Sequence, residues 1–259
     1  MPAARLTTTT TRGGSVREER LDADAVLATI TRLEHRIAAR FPERGLTAVA
    51  GRLRVVATDV RDASRARDPL RLLRTACRIV IALLVLLMVA VVVLALVELV
   101  RQSSEVPALP TLEWLRGLET TINDAVFVGI AILFLWLLPT RVERTRVLRV
   151  LHRMRSLAHV IDMHQLTKDP ERFSPAFRPT AETVDNAMTP SEMAGYLDYC
   201  SELLSLVGKT AALYAERTTD SAVLATISDI EALTTGMSRK IWQKVALLPV
   251  DDGAPRRLA

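Results

Sequence analysis

Apolar positions along this chain follow two different rules. In most of it they recur at spacings of three and four, the signature of helices buried along one stripe. Val26, Ile30, Leu33 and Ile37 set the rhythm. Phe41-Pro42-Glu43-Arg44-Gly45 interrupts it with both strong helix breakers. Leu46, Val49, Leu53, Val56 and Val60 then resume it. Two such helices joined by a short turn predict an antiparallel hairpin.

The second rule is no polar position at all. Ile79 to Val97 (IVIALLVLLMVAVVVLALV) is an unbroken run of nineteen apolar residues. As a helix it is about 29 Å long, the thickness of a bilayer's hydrocarbon core. A second apolar run, Ala125–Leu138, is shorter. Ile122, Asn123 and Asp124 extend it at one end, Pro139 closes the other, and Trp136 sits at an interfacial position. The pattern predicts two membrane spans, 79–97 and about 122–138.

After Pro139 the stripe returns in Val147, Leu151, Met154, Ala158 and Ile161. Residues 167–190 hold four prolines and no helical face, a loop or lid. Thr189-Pro190-Ser191-Glu192 forms a capping box, with Thr189 at N-cap, Pro190 at N1 and Glu192 at N3. The helix it opens carries Met193, Leu197, Cys200, Leu204, Val207, Ala211 and Tyr214. A break at Arg217–Asp220 leads to a last helix with Val223, Ile227, Ile230, Met237, Ile241 and Leu248 on one stripe.

The fold class that follows is an all-α membrane protein: two transmembrane helices in a hairpin plus a cytoplasmic bundle of about five helices. Its parts run as follows: a Thr-rich, disordered N-terminus, 1–16; a cytoplasmic helical hairpin, 17–68; a transmembrane hairpin, 70–138, with an outer loop at 101–121; a cytoplasmic helical domain, 140–248; and a polar tail, 249–259. Asp68-Pro69 starts the helix leading into the first span. Thr111–Leu118, with Leu112, Leu115 and Leu118 on one face beside Trp114, reads as a short helix resting on the outer leaflet. No stripe sustains four heptads, which favours a bundle over a coiled coil between chains, with self-association left open.

Charge adds direction. Residues 1–78 hold sixteen Arg against nine acids, and residues 139–155 six Arg against one Glu. Between the spans, residues 98–121 hold two Arg against four Glu. The positive-inside rule then places both termini in the cytoplasm of an inner membrane. Arg71, Arg74 and Arg78 before the first span, and Arg141, Arg144 and Arg146 after the second, are candidate contacts for anionic lipid heads. Acids interspersed among the N-terminal arginines, and the absence of a recognition motif, speak against nucleic acid.

Catalytic chemistry is scarce. There is no phosphate-binding glycine loop, no His-Glu-x-x-His, no Cys-x-x-Cys and no Gly-x-Ser-x-Gly. No cofactor or metal is expected. The two cysteines, Cys77 and Cys200, form no disulfide framework. Cys77 lies beside the membrane, where a small apolar residue at a helix start is a simpler account than an acylation site, and Cys200 falls on an apolar stripe. One polar face draws notice: His152, Arg155, His159 and Asp162, with His164 beyond. The two histidines seven apart lie about 10 Å apart along a helix, too far to share one metal, so a solvated face is the simpler account. Asn123 and Asp124 would ring a pore mouth if the second span oligomerised; alone they are a polar helix end. Glu202, Lys209, Glu216, Asp229, Glu231, Lys240 and Lys244 read as the solvated face of the last two helices.

The segments Ile161–Glu171 (IDMHQLTKDPE), Tyr196–Lys209 (YLDYCSELLSLVGK) and Ser238–Leu248 (SRKIWQKVALL) resemble an uncharacterised family of bacterial two-pass membrane proteins. That resemblance covers the C-terminal half and implies no activity. The layout is also similar to two-span membrane effector domains of bacterial conflict systems, in architecture only. The expectation is a non-enzymatic protein, lying in the lipid bilayer, whose cytoplasmic helices bind a protein partner or one another. The alternatives are an oligomeric pore-forming or membrane-perturbing effector and, less favoured, a lipid-acting membrane enzyme built on the His152–Asp162 face.

Overall fold

The computed structural model describes residues 21–42, 44–65, 70–102, 111–183 and 187–249, apart from the side chains of 64, 99, 102, 111–116 and 118. The described residues form six α-helices and one short 3-10 turn, with no strand. The helices are α1 (Ala23–Arg40), α2 (Leu46–Arg65), α3 (Arg71–Gln102), α4 (Thr111–Leu166), α5 (Pro190–Ala215) and α6 (Ser221–Ala246). The expected disorder at 1–16, the expected Asp68-Pro69 cap, residues 103–110 of the expected outer loop and the tail from 250 lie outside the described residues.

Two compact units divide the chain. One comprises residues 62–152, the other 1–61 together with 153–259. The second unit differs from the sequence expectation, which kept the N-terminal hairpin (17–68) apart from the C-terminal domain (140–248). The physical reason is that each two-helix hairpin has an apolar stripe it cannot cover alone.

Local signals set the helix ends. Asp22 caps α1 by accepting from the Asp24 N–H at 2.9 Å. Thr189 and Glu192 form the expected capping box on α5: the Glu192 N–H donates to Thr189 Oγ1, and the Thr189 N–H to Glu192 Oε2. Those bonds favour the ionised acid, and the Glu192 carboxyl titrates below its ordinary value. Asp220 caps α6 through the Ala222 and Val223 N–H groups.

Within the larger unit the predicted stripes are the core. Val26, Ile30, Leu33 and Ile37 are buried, as are Leu46, Val49, Leu53, Val56 and Val60, and Met154, Ala158 and Ile161. α5 packs against both α6 and α1 and is therefore buried on more than one face. Its predicted stripe is joined by Tyr196, Tyr199, Leu203, Leu206, Thr210 and Leu213. On α6, Thr234 fills the gap in the stripe between Ile230 and Met237. It faces Gly208 of α5, where a Cβ would come within 3.1 Å of Thr234 Oγ1, so the absence of a side chain permits close approach.

The smaller unit is built differently. α3 and α4 are each long and apolar enough to cross a membrane, and the most apolar stretch of α3 is wholly uncovered by protein. Arg74 Nη2 lies 2.6 Å from Glu143 Oε2, linking the N-terminal part of α3 to α4.

Two expectations about α4 are corrected. Pro139 does not close a helix there, and Thr111–Leu118 is not a separate element, because α4 runs unbroken over 56 residues with Pro139 inside it. A proline deletes one ladder bond and crowds the preceding turn. Here Thr140 Oγ1 donates to the Leu137 carbonyl at 2.7 Å beside it.

Candidate functional site

The six candidate lipid-contacting arginines lie on the two apolar helices. Arg71 and Arg78 are exposed on α3 and Arg141, Arg144 and Arg146 on α4, while Arg74 pairs with Glu143. Arg71, Arg74 and Arg78 are spaced three and four apart and share one helical face. Asn123 and Asp124 are exposed near the start of the apolar part of α4.

The His152–Asp162 face does not converge. His152 and His159 are exposed. Arg155 Nη2 reaches across to Asp229 Oδ2 on α6 at 3.3 Å. Asp162 Oδ1 instead accepts from Gln165 Nε2 at 2.7 Å. Arg155 thus serves a helix–helix contact and Asp162 a contact within α4, and among the described residues no cluster of His, Cys, Asp and Glu suits a metal ion.

The structure gathers polar groups one turn further on, where α4 ends. Lys244 of α6 donates to the Gln165 carbonyl at 2.9 Å and to the Lys168 carbonyl at 3.2 Å. A helix C-terminus presents unsatisfied carbonyls and partial negative charge, and a lysine ammonium answers both. Lys244 was read from sequence as part of a solvated face; it is instead the cap of another helix. Gln165 itself is buried, and its Oε1 has no hydrogen-bond partner.

Lys168 follows directly. It is only 6% exposed, and its ammonium sits 5.2 Å from the centre of the Tyr196 ring and 3.0 Å from Thr167 Oγ1. Burial lowers its pKa, as do the nearby charges of Arg44, Arg172 and Lys244. Beneath lies Cys200, fully buried, its thiol pushed up to about 12 by burial against the weaker opposing pull of Lys168 and Lys244. Burial likewise raises the Tyr196 hydroxyl. A thiol and a phenol held neutral in this way are not activated nucleophiles.

Tyr196 ties this node to the N-terminal hairpin. Its ring meets Phe41 edge-on at 5.3 Å, and Tyr199 meets the same ring at 6.1 Å. Arg36 lies 5.1 Å from the Tyr199 ring centre and 3.1 Å from Glu202 Oε2. Glu216 Oε1 accepts from the Leu21 N–H at 2.7 Å. So Glu202 and Glu216, also read as solvated, help seat α1 on α5.

The Pro-rich segment is anchored rather than free-standing. Asp169 caps the 3-10 turn Pro170–Phe173, and Pro170 and Met188 are buried. Between α1 and α2 lies an open groove of about 410 Å³, lined in part by His35 and Arg61 and crossed by the Glu34–Arg54 ion pair at 2.6 Å.

Sequence reasoning missed Gln165, Lys168, Tyr196 and Lys244 as a group. The available signal was that Gln165 and Lys168 continue, at spacings of four and three, the helical stripe that ends at Ile161. Compared with known proteins, the chain matches no family model, no curated protein and no solved structure. The family resemblance therefore rests on the three sequence segments alone.

Proposed function

We propose that this chain is a two-pass inner-membrane protein that acts by binding: α3 and the apolar part of α4 anchor it, and the cytoplasmic helical bundle engages a protein partner. The observation that carries this reading is α3, whose most apolar stretch has no protein cover. An uncovered apolar helix of that length is costly in water and stable in lipid. The arginines at 71, 74 and 78 and at 141, 144 and 146 fit the cytoplasmic headgroup level, each contributing about 1 kcal/mol on an anionic leaflet.

The bundle supports binding over catalysis. Its polar groups are committed to helix caps and interhelical pairs, with Lys244 on α4, Arg155 on Asp229 and Arg36 on Glu202. Self-association through the helices is the variant of this proposal in which the partner is a second copy.

The test combines topology and transport. The protein should resist alkaline extraction from membranes. Ser103→Cys should react with a membrane-impermeant thiol reagent added to intact cells, while a tag after Ala259 stays protected from external protease. Digestion of that tag from outside would end the two-pass, termini-inside reading. Ion-selective conductance of the purified chain in liposomes would replace binding with the pore-forming alternative.

A further inference from the structure

We infer that His164 is a proton-sensitive latch that holds the α1–α2 corner on α5 while its ring is neutral and releases it on acidification. The ring is wedged at that corner. A Cβ placed on Gly45 would lie 2.9 Å from His164 Cε1, so the ring sits against the backbone of the turn where no side chain intervenes. On the other side, His164 Nδ1 is 3.4 Å from the Tyr196 hydroxyl. Tyr196 in turn is the ring that receives Phe41 at the start of the same corner. The latch and the aromatic seat thus share one residue.

The groups facing His164 favour the neutral ring. α2 contributes Arg52, and the segment after α4 contributes Lys168. α5 contributes Tyr196 and, below it, Cys200, both kept uncharged by burial. Around Lys168 stand Arg44 of the corner, Arg172 of the 3-10 turn and Lys244 of α6. The nearby carboxylates act elsewhere: Asp162 binds Gln165 and, with Asp169, acts on Lys244, and Glu192 faces Arg40 and Arg44. A second proton on the ring would therefore meet cations, and would leave Nδ1 able only to donate toward the Tyr196 hydroxyl oxygen.

The direction in pH follows. Burial first, then Lys168 and Arg52, lower the His164 pKa below 6.5. A group depressed in the folded state contributes fully above its unfolded value, here 6.5, and that contribution fades as the pH falls from there through the folded value. Opening would bare Phe41, Tyr196 and Tyr199, an aromatic face otherwise closed.

Amide hydrogen exchange on the full chain in nanodiscs tests the latch, with α6 as internal reference. From about pH 7.5 to about pH 5.5, after correction for intrinsic rates, protection in α1 and α2 should fall several-fold while that in α6 holds. His164→Gln should abolish the difference, and His164→Lys should loosen α1 and α2 already at about pH 7.5. Constant protection of the hairpin, equal loosening of α6, or an acid response in His164→Gln matching the unsubstituted protein would each overturn the proposal. A readout without substitution is the ring-proton titration of His164, whose midpoint should lie below 6.5; a midpoint at or above 6.5 overturns it equally.

Discussion

α3 and α5 are the two most revealing helices to set side by side. Both are rich in Leu and Ala, and both exceed twenty-five residues. α5 buries thirteen residues against its neighbours, whereas the most apolar stretch of α3 buries none. The difference lies in what each helix does with its polar positions. α5 keeps Asp198, Ser205 and Lys209 on an exposed side, so its apolar side has a direction and finds α6 and α1. α3 from Ile79 to Val97 has no polar side, so no direction is preferred and the surrounding medium must supply the apolar contact. Hydrophobicity alone does not make a core; asymmetry does.

Substitutions can break that contrast. Leu204→Ala in α5 should have the largest effect, a loss of about 2–5 kcal/mol in urea unfolding followed by circular dichroism, because the side chain is completely buried. Val89→Ala in α3 should cost nothing measurable in the same assay, since Val89 is 53% exposed to whatever surrounds the helix. A comparable loss at both positions would mean that α3 has a protein partner after all. Val89→Arg should instead reduce membrane integration by about 2.5–3.5 kcal/mol, read as the inserted fraction in a glycosylation-site reporter.

Smaller effects sharpen the α5 side of the comparison. Thr189→Ala removes one half of the capping box and should lower bundle stability by about 1 kcal/mol, measured as a shift of the urea midpoint. Gly208→Ala sets two terms against each other. Alanine improves helix propensity by up to about 1 kcal/mol, while the 3.1 Å approach to Thr234 Oγ1 introduces an overpacking cost of about 1–3 kcal/mol. Thr234 Oγ1 also donates to the Glu231 carbonyl at 3.1 Å, which resists its moving away. A small net destabilisation is expected, and a gain in stability would show that the α5–α6 contact is looser than drawn.

The helices themselves were legible because their apolar spacing is regular, and the α5 cap because its four residues form a complete local motif. Other features depend on partners far away in sequence. The second buried side of α5, with Tyr196, Tyr199, Leu203 and Leu206, is invisible once one stripe has been matched, since nothing local says that a third helix will arrive. Thr234 hid because a hydroxyl interrupts an apolar stripe, although in a helix it can satisfy itself on a preceding carbonyl. Pro139 misled in the opposite way: a strong local breaker was overruled by the surrounding helix. Lys244 followed the general preference of lysine for water, and only the arrival of the α4 terminus beside it gave the ammonium another task. The node at the end of α4 was illegible for the same reason, being assembled from α4, the segment after it, α5 and α6.

The seating of α1 on α5 also sets an order of events during synthesis. Arg36 and Glu202 are 166 residues apart, and Leu21 and Glu216 are 195 apart. Chains are made from the N-terminus and fold as units become available. The first hairpin therefore emerges with Phe41 bare, and both long apolar helices are translated before the helix that will cover it exists. α5 and α6, adjacent in sequence, can pair as soon as they appear, whereas closing the bundle means bringing together the two ends of the chain. The nascent protein thus passes through a period in which its first hairpin is complete in sequence but has nothing to close upon.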